Sequence, residues 1–179
     1  LKNKIRVASD EDLKGSNLIV GLSFGKRNNG LPGKSNEYLA EIVSNLYRKY
    51  QKPVIIQEEI AEALSGLAPD IPIRLIIKEH REYKKNGKEK KYLDTSEVLI
   101  QAKDISRTNG WNIIILVAHQ DHLPRSIKMA KNLGFTVNTP LIKNCPYDEL
   151  SSQKWTRNKW RFKFHEISAN TLYLLKDYI

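Results

Sequence analysis

A three-layer α/β domain with a mainly parallel five-stranded sheet is expected from the amino-acid order, on three grounds. Short β-branched runs alternate with helical segments along the chain, which is the pattern of strands joined by crossover helices. The run from Ile113 to Val117 has no polar alternation, as in a strand buried on both faces, and this makes it the candidate central strand. In "SNEYLAEIVSNLYRKYQ", Leu39, Ile42, Val43, Leu46 and Tyr50 recur at helical spacing while Glu37, Glu41, Arg48 and Lys49 fall on the other side, so that helix packs one face on the sheet.

In order, strands are expected near 17–24, 53–57, 73–78, 112–118 and 135–138, with helices near 35–51, 58–66, 95–108 and 124–133. The first and fourth strands are expected to be adjacent, so that the loop after Phe24 faces the loop after Ala118. Between the third strand and the next helix, "EYKKNGKEKKY" is too charged to bury and reads as an exposed, mobile loop. After the fifth strand, "NTPLIKNCPYDELSSQ" is irregular. A C-terminal helix then closes the chain, with Phe164, Ile167, Leu174 and Tyr178 as its apolar stripe. With 40% hydrophobic residues and no linker or internal repeat, residues 1–179 are expected to form a single domain around one core.

Thirty basic against twenty acidic side chains give a formal charge of +10, which suggests an anionic partner: a phosphorylated small molecule, a nucleic acid or a membrane surface. The one cysteine, Cys145, excludes an internal disulfide and a multi-cysteine zinc site, and no histidine stands beside it to activate a thiol. No apolar run is long enough to span a bilayer, and a cytoplasmic location is expected. The sequence opens on Leu1 rather than methionine, which leaves a removed amino-terminal signal or anchor open.

The stretch "GKRNNGLPGKS" follows the first strand and ends in the three letters that close a nucleotide-binding P-loop. The pattern needs a glycine where Asn28 stands, and no later strand ends promptly in a magnesium-binding carboxylate. Gly21, Gly25 and Gly30 also lack the spacing of a dinucleotide fingerprint. What remains is a strand, a glycine-bearing loop and a helix whose first turn carries Lys34 and Ser35.

Ligands of open parallel sheets bind beyond the carboxyl ends of the strands, where helix starts expose N–H groups to an anion. Residues after each strand therefore carry the candidates: Ser23, Gly25 and Ser35 after the first, Gln57 and Glu58 after the second, Lys78 to His80 after the third, and His119 to Arg125 after the fourth. In "DTSEVLIQAKDI", Asp94 and Glu97 are spaced as a capping pair and Thr95 offers a hydroxyl at the helix entrance. The leading expectation is a small-anion site in which Ser35, Thr95 and Arg125 hold the ligand, His122 moves a proton and Glu97 orients Arg125 or caps its helix. His119, Asp121 and His122 match three positions of a metallohydrolase run, but Val117 replaces its first histidine and no metal is expected. A competing expectation is a nucleic-acid module, because "KWTRNKWRFKF" interleaves basic residues with Trp155, Trp160, Phe162 and Phe164.

Four segments together, "GLSFGKRNNGLPGKSNEYLA", "DTSEVLIQAKDI", "LVAHQDHLPRSIKMAKNLGF" and "FHEISANTLYLLKDY", resemble the YdcF-like family, whose members include SanA-like envelope proteins. The specific parts are the Thr95 and Glu97 helix start and the His122 and Arg125 pair, joined by Ser23, Gly25 and Ser35 in the first loop. The resemblance implies a Rossmann-like domain of poorly defined activity. It also implies S-adenosylmethionine binding, as in some members, or a part in envelope polysaccharide metabolism, as in others. The chain departs from the family after the second strand, where Gln57, Glu58 and Glu59 replace a serine and two glycines. The substitution adds bulk and negative charge where glycine would let a ligand approach the backbone.

Overall fold

The computed structural model describes residues 5–78 and 93–166. The lysine-rich segment "EYKKNGKEKKY", the candidates Glu79 and His80 after the third strand, and the Ile167, Leu174 and Tyr178 positions of the expected stripe lie outside the described residues.

Five parallel strands form one sheet in the order β3-β2-β1-β4-β5: β1 (Leu18–Gly21), β2 (Val54–Gln57), β3 (Ile73–Ile77), β4 (Ile113–Val117) and β5 (Thr136–Asn138). The chain first moves outward from β1 to β3, then returns past β1 to build β4 and β5 on its other side. Strand order thus reverses between β1 and β4, whose register pairs Leu18 with Ile114 and Gly21 with Val117. The crevice that this reversal opens at the carboxyl ends is where an α/β sheet receives a ligand. β1 and β4 are deeply buried, with Leu18, Ile19, Val20 and Ile114 to Val117 fully enclosed. That enclosure explains why β4 carries no polar alternation.

Helices α2 (Lys34–Tyr50) and α3 (Glu58–Leu67) pack together on one side, while α4 (Thr95–Asn109) and α5 (Leu123–Asn132) pack together on the other. In α2 the buried positions Leu39, Ala40, Val43 and Leu46 recur at helical spacing against β1 and β4. Helix α4 is delimited at both ends. Asp94 caps it by accepting the Glu97 N–H, and Gly110 ends it in a left-handed conformation at φ +70°. A short helix, α1 (Asp10–Lys14), opens the described chain with a Ser9 and Asp12 capping box, and its Asp10 meets Lys49 and Tyr50 of α2.

Beyond β5, residues 139–150 have no regular structure apart from a closing turn, followed by a single 3-10 turn (Lys154–Thr156) and a helix α6 whose described part is 159–166. One expectation needs correction here. Phe164 is 70% exposed, and the aromatic that α6 buries is Phe162 at 3%, two positions earlier, wedged between Phe24 and the two histidines after β4.

Candidate functional site

The first loop is wound around one amide. Asn36, fully buried in the first turn of α2, accepts the Phe24 N–H at 2.8 Å and donates to the carbonyls of Gly25 and Pro32, each at 2.6 Å. The residual likeness to a phosphate cradle now has an explanation. The position that would receive a phosphate, at the Lys34 N–H, is taken by the carboxylate of Asp148 at 3.2 Å. Asp148 also accepts Arg27 Nε at 2.8 Å and the Leu150 N–H at 3.1 Å, and is almost fully buried. Burial alone would raise this carboxyl, but the hydrogen bonds from Arg27 and the two N–H groups outweigh it and hold it below the usual carboxylate range.

This changes the roles of two expected ligand contacts. Ser35 is 1% exposed and donates its hydroxyl to the Pro146 carbonyl at 2.6 Å, so it fastens the C-terminal segment. Gly25, at φ +74°, is needed because a Cβ there would overlap the hydroxyls of Ser151 and Thr156. Both residues serve the chain's own fold-back over the loop. Ser23 remains half-exposed, and its N–H donates to Gln57 Oε1 at 2.8 Å. That bond gives Gln57 a structural purpose, since its buried amide ties the end of β2 to the β1 loop. Glu58 and Glu59 begin α3, where negative charge is favourable, and Glu58 meets Lys78 at 3.5 Å.

Across the switch point, the Phe24 ring stacks on His119 with centroids 3.9 Å apart, so the loops after β1 and β4 do face each other. His119 is fully buried. Its Nδ1 accepts the Asp121 N–H at 3.3 Å and its Nε2 meets the Cys145 carbonyl at 3.1 Å, which fixes a neutral ring with the proton on Nε2. Burial drives its pKa from an ordinary 6.5 down to about 4. The unfolded chain therefore binds a proton that the native ring refuses. His119 stabilises the fold fully above pH 6.5, and that contribution is lost as pH falls through 6.5 toward 4. Urea denaturation is expected to show a loss of about 2 kcal/mol by about pH 5 from this ring. In His119→Gln the neutral-pH stability should drop while this part of the pH dependence disappears; an unchanged pH profile would contradict the assignment.

The chemistry-bearing cluster lies next to His119. His122, 6% exposed, immediately precedes α5, with Pro124 in the first turn where its missing N–H does no harm. Its Nε2 is 3.1 Å from Thr95 Oγ1, at the first residue of α4. Its Nδ1 is 3.3 Å from Arg125 Nη2 and 3.7 Å from Glu166 Oε1. Arg125 clasps Glu166 closely, with Nε at 2.9 and 3.1 Å from the two carboxylate oxygens and Nη2 at 2.9 Å. Four side chains from three helices thus meet in one contiguous polar cluster. Burial holds the His122 pKa below the usual range, with Glu166 opposing and Arg125 assisting, so the ring is neutral at neutral pH. For Glu166, the hydrogen bonds from His122 and Arg125 outweigh the raising effect of burial and keep it ionised.

Two tautomers of His122 compete. Arg125 offers an N–H to Nδ1, which leaves the proton on Nε2 facing Thr95; Glu166 favours the proton on Nδ1, which leaves Nε2 free to accept from the Thr95 hydroxyl. Beside the cluster opens a cleft of about 410 Å³, lined by Asp121, Pro124, Arg125, Lys128, Phe162, Lys163 and Glu166. The bonds to Glu166 and His122 use Nε and Nη2 of Arg125, which leaves Nη1 for an incoming acceptor.

The structure brings together Thr95, His122 and Arg125, and adds Glu166, which was not singled out. Of the two roles expected for Glu97, the structure places it at the cap of α4 and not on Arg125. The carboxylate on Arg125 is Glu166, and Glu97 lies in the first turn of α4 with its N–H on the Asp94 cap. Asp121 accepts the Tyr147 hydroxyl at 2.6 Å and His119 turns to Cys145, so the three residues of the metallohydrolase-like run have separate partners; among the described residues no group of three His, Cys, Asp or Glu is placed to hold a metal. Cys145 is buried, and burial together with Asp121 pushes its thiol up to about 12, which makes it inert as a nucleophile at neutral pH.

Fold and site together define a Rossmann-like α/β domain with a polar cluster and an open cleft at the topological switch point. No family model matches the chain, and no curated protein or solved structure does so either. Among the described residues no helix is long and apolar enough to cross a membrane.

Proposed function

We propose that this is a YdcF-like domain that binds a small anionic or nucleotide-like ligand in the cleft beside Arg125, in the service of S-adenosylmethionine-related or envelope metabolism. The observation that carries the reading is the convergence of Thr95, His122, Arg125 and Glu166 at the carboxyl edge of the sheet, from segments far apart in sequence. Three of the four segments on which the family resemblance rests supply these side chains. Arg125, Lys128 and Lys163 outnumber Asp121 and Glu166 around the cleft, which favours an anion.

A thermal-shift screen with S-adenosylmethionine, nucleotides and sugar phosphates identifies the ligand class, because a compound that binds only the native state raises its stability. Arg125→Ala is then expected to weaken binding by about 1.5 to 3 kcal/mol, the worth of a charge-assisted hydrogen bond. Calorimetry is best run on Arg125→Ala combined with Glu166→Gln, so that no buried carboxylate loses its cation. Unchanged affinity in the folded variant would remove Arg125 from the site.

A second reading rests on the exposed face of α6, which shares Lys163 with the cleft. Trp160 and Phe164 of α6 are 71% and 70% exposed, next to Lys159, Arg161 and Lys163, an arrangement suited to stacking on nucleobases while neutralising phosphates. Quenching of tryptophan fluorescence by random oligonucleotides, with a steep salt dependence, would support it; no quenching at low salt would end it.

A further inference from the structure

Resting on the cleft reading above, we propose that Thr95 is a nucleophile, that His122 is its general base, and that the substrate is a carboxylic ester bearing an anionic group held by Arg125. The geometry is that of an activated hydroxyl: Thr95 Oγ1 within 3.1 Å of His122 Nε2, and the far nitrogen of the same ring 3.7 Å from the Glu166 carboxylate, which Arg125 fixes in place. Thr95 is the first residue of a fifteen-residue helix, where the local field favours negative charge on its oxygen as it attacks. Neutral His122 has a lone pair to accept the proton once its own proton is on Nδ1. A substrate anion accepted at Nη1 supplies that condition by turning Nη2 off Nδ1 while Nε keeps Glu166, which is then left as the ring's partner, so binding and activation are coupled. Glu166 is a positioning residue.

In the first half-reaction the Thr95 oxygen bonds to the ester carbonyl carbon while its proton moves to His122 Nε2. The carbon–oxygen bond to the alcohol then breaks, and the alcohol leaves with that proton. In the second, water attacks the acyl-threonine and passes a proton to His122, the acyl–Oγ1 bond breaks, Thr95 is reprotonated and the acid departs. No redox step is involved, and water is the only co-reactant.

The test uses the full chain and p-nitrophenyl hemisuccinate, an activated ester with a free carboxylate, followed by nitrophenolate release, intact-mass measurement and peptide mapping. Expected are a burst of nitrophenolate, a succinyl adduct mapped to Thr95, its loss in Thr95→Ala and its return in Thr95→Ser. His122→Gln should slow acylation by about 10²- to 10⁴-fold. Glu166→Gln should lower the rate and move the pH profile of acylation to lower pH, because the ring loses the charge that raises its basicity; a purely structural role would leave the profile in place. An adduct found only on lysines, or undiminished in Thr95→Ala, overturns the proposal. Binding of succinate by calorimetry without acylation of Thr95 also overturns it and leaves the cleft reading standing. Acylation of Thr95 with unchanged KM in Arg125→Ala supports the nucleophile and instead counts against the anion site at Arg125.

Discussion

Replacing Asp148 by alanine is expected to destabilise the protein by about 3 to 5 kcal/mol, the usual cost of removing one partner from a buried ion pair. Three donors lose their acceptor at once: the Arg27 guanidinium, whose side chain is 17% exposed, and the N–H groups of Lys34 and Leu150. Water reaches Arg27 in part, which pulls the cost toward the lower end; the Lys34 N–H is one of the helix-start donors of α2 and loses the acceptor it has in the native fold. Asp148→Asn keeps an acceptor oxygen but not the charge, and should lose roughly half as much. Urea denaturation midpoints measure both. A loss below about 1 kcal/mol in Asp148→Ala would mean that the C-terminal segment does not hold the first loop in this way.

Gly25→Ala is expected to cost about 2 to 5 kcal/mol, from two independent sources. A residue with a Cβ pays about 1 to 2 kcal/mol in the left-handed conformation at φ +74°, and overpacking against buried neighbours adds about 1 to 3 kcal/mol. Those neighbours have little room to withdraw. The Ser151 and Thr156 hydroxyls lie 2.7 Å apart, and Thr156 also donates to the Gln153 carbonyl at 2.9 Å. Thermal unfolding with a midpoint within a degree or two of the parent protein would contradict the docking of 151–156 on this loop.

Both effects come from one architectural fact that bears on function. Residues 139–166 fold back across the carboxyl edge of the sheet and fill the place where the α2 helix start would otherwise offer N–H groups to a ligand. The site open to solvent is displaced to the other side of the switch point, toward α5 and α6. That same fold-back delivers Glu166, so the segment that covers the start of α2 also completes the polar cluster beside the cleft.

Much of the layout was legible in the amino-acid order because it depends on local pattern. Ile113 to Val117 is apolar throughout because both faces of β4 are covered, and Asp94 and Gly110 mark the ends of α4 by their own backbone and side-chain chemistry. His122 and Arg125 could be singled out because a buried strand running into a helix start places its next residues at the sheet edge. Glu166 could not be singled out in the same way, since its pairing with Arg125 spans 41 positions and nothing in its neighbourhood signals the partner. Asp148 is more remote still, 121 positions from Arg27. Ser35 and Gly25 show the converse limit: a small polar residue and a glycine in a loop read the same whether they receive a ligand or the protein's own chain, and only the tertiary occupant distinguishes the two.

Amide chemical-shift mapping with an anionic ligand from the thermal-shift screen addresses the location of the site most directly. Titrating a nitrogen-15-labelled chain should shift resonances at 121–128 and 162–166, around Arg125 and the cleft, and leave 33–36 at the start of α2 unmoved behind Asp148. Shifts concentrated at 33–36, with 121–128 unaffected, would place the ligand at the position that Asp148 occupies and would contradict the assignment of the cleft.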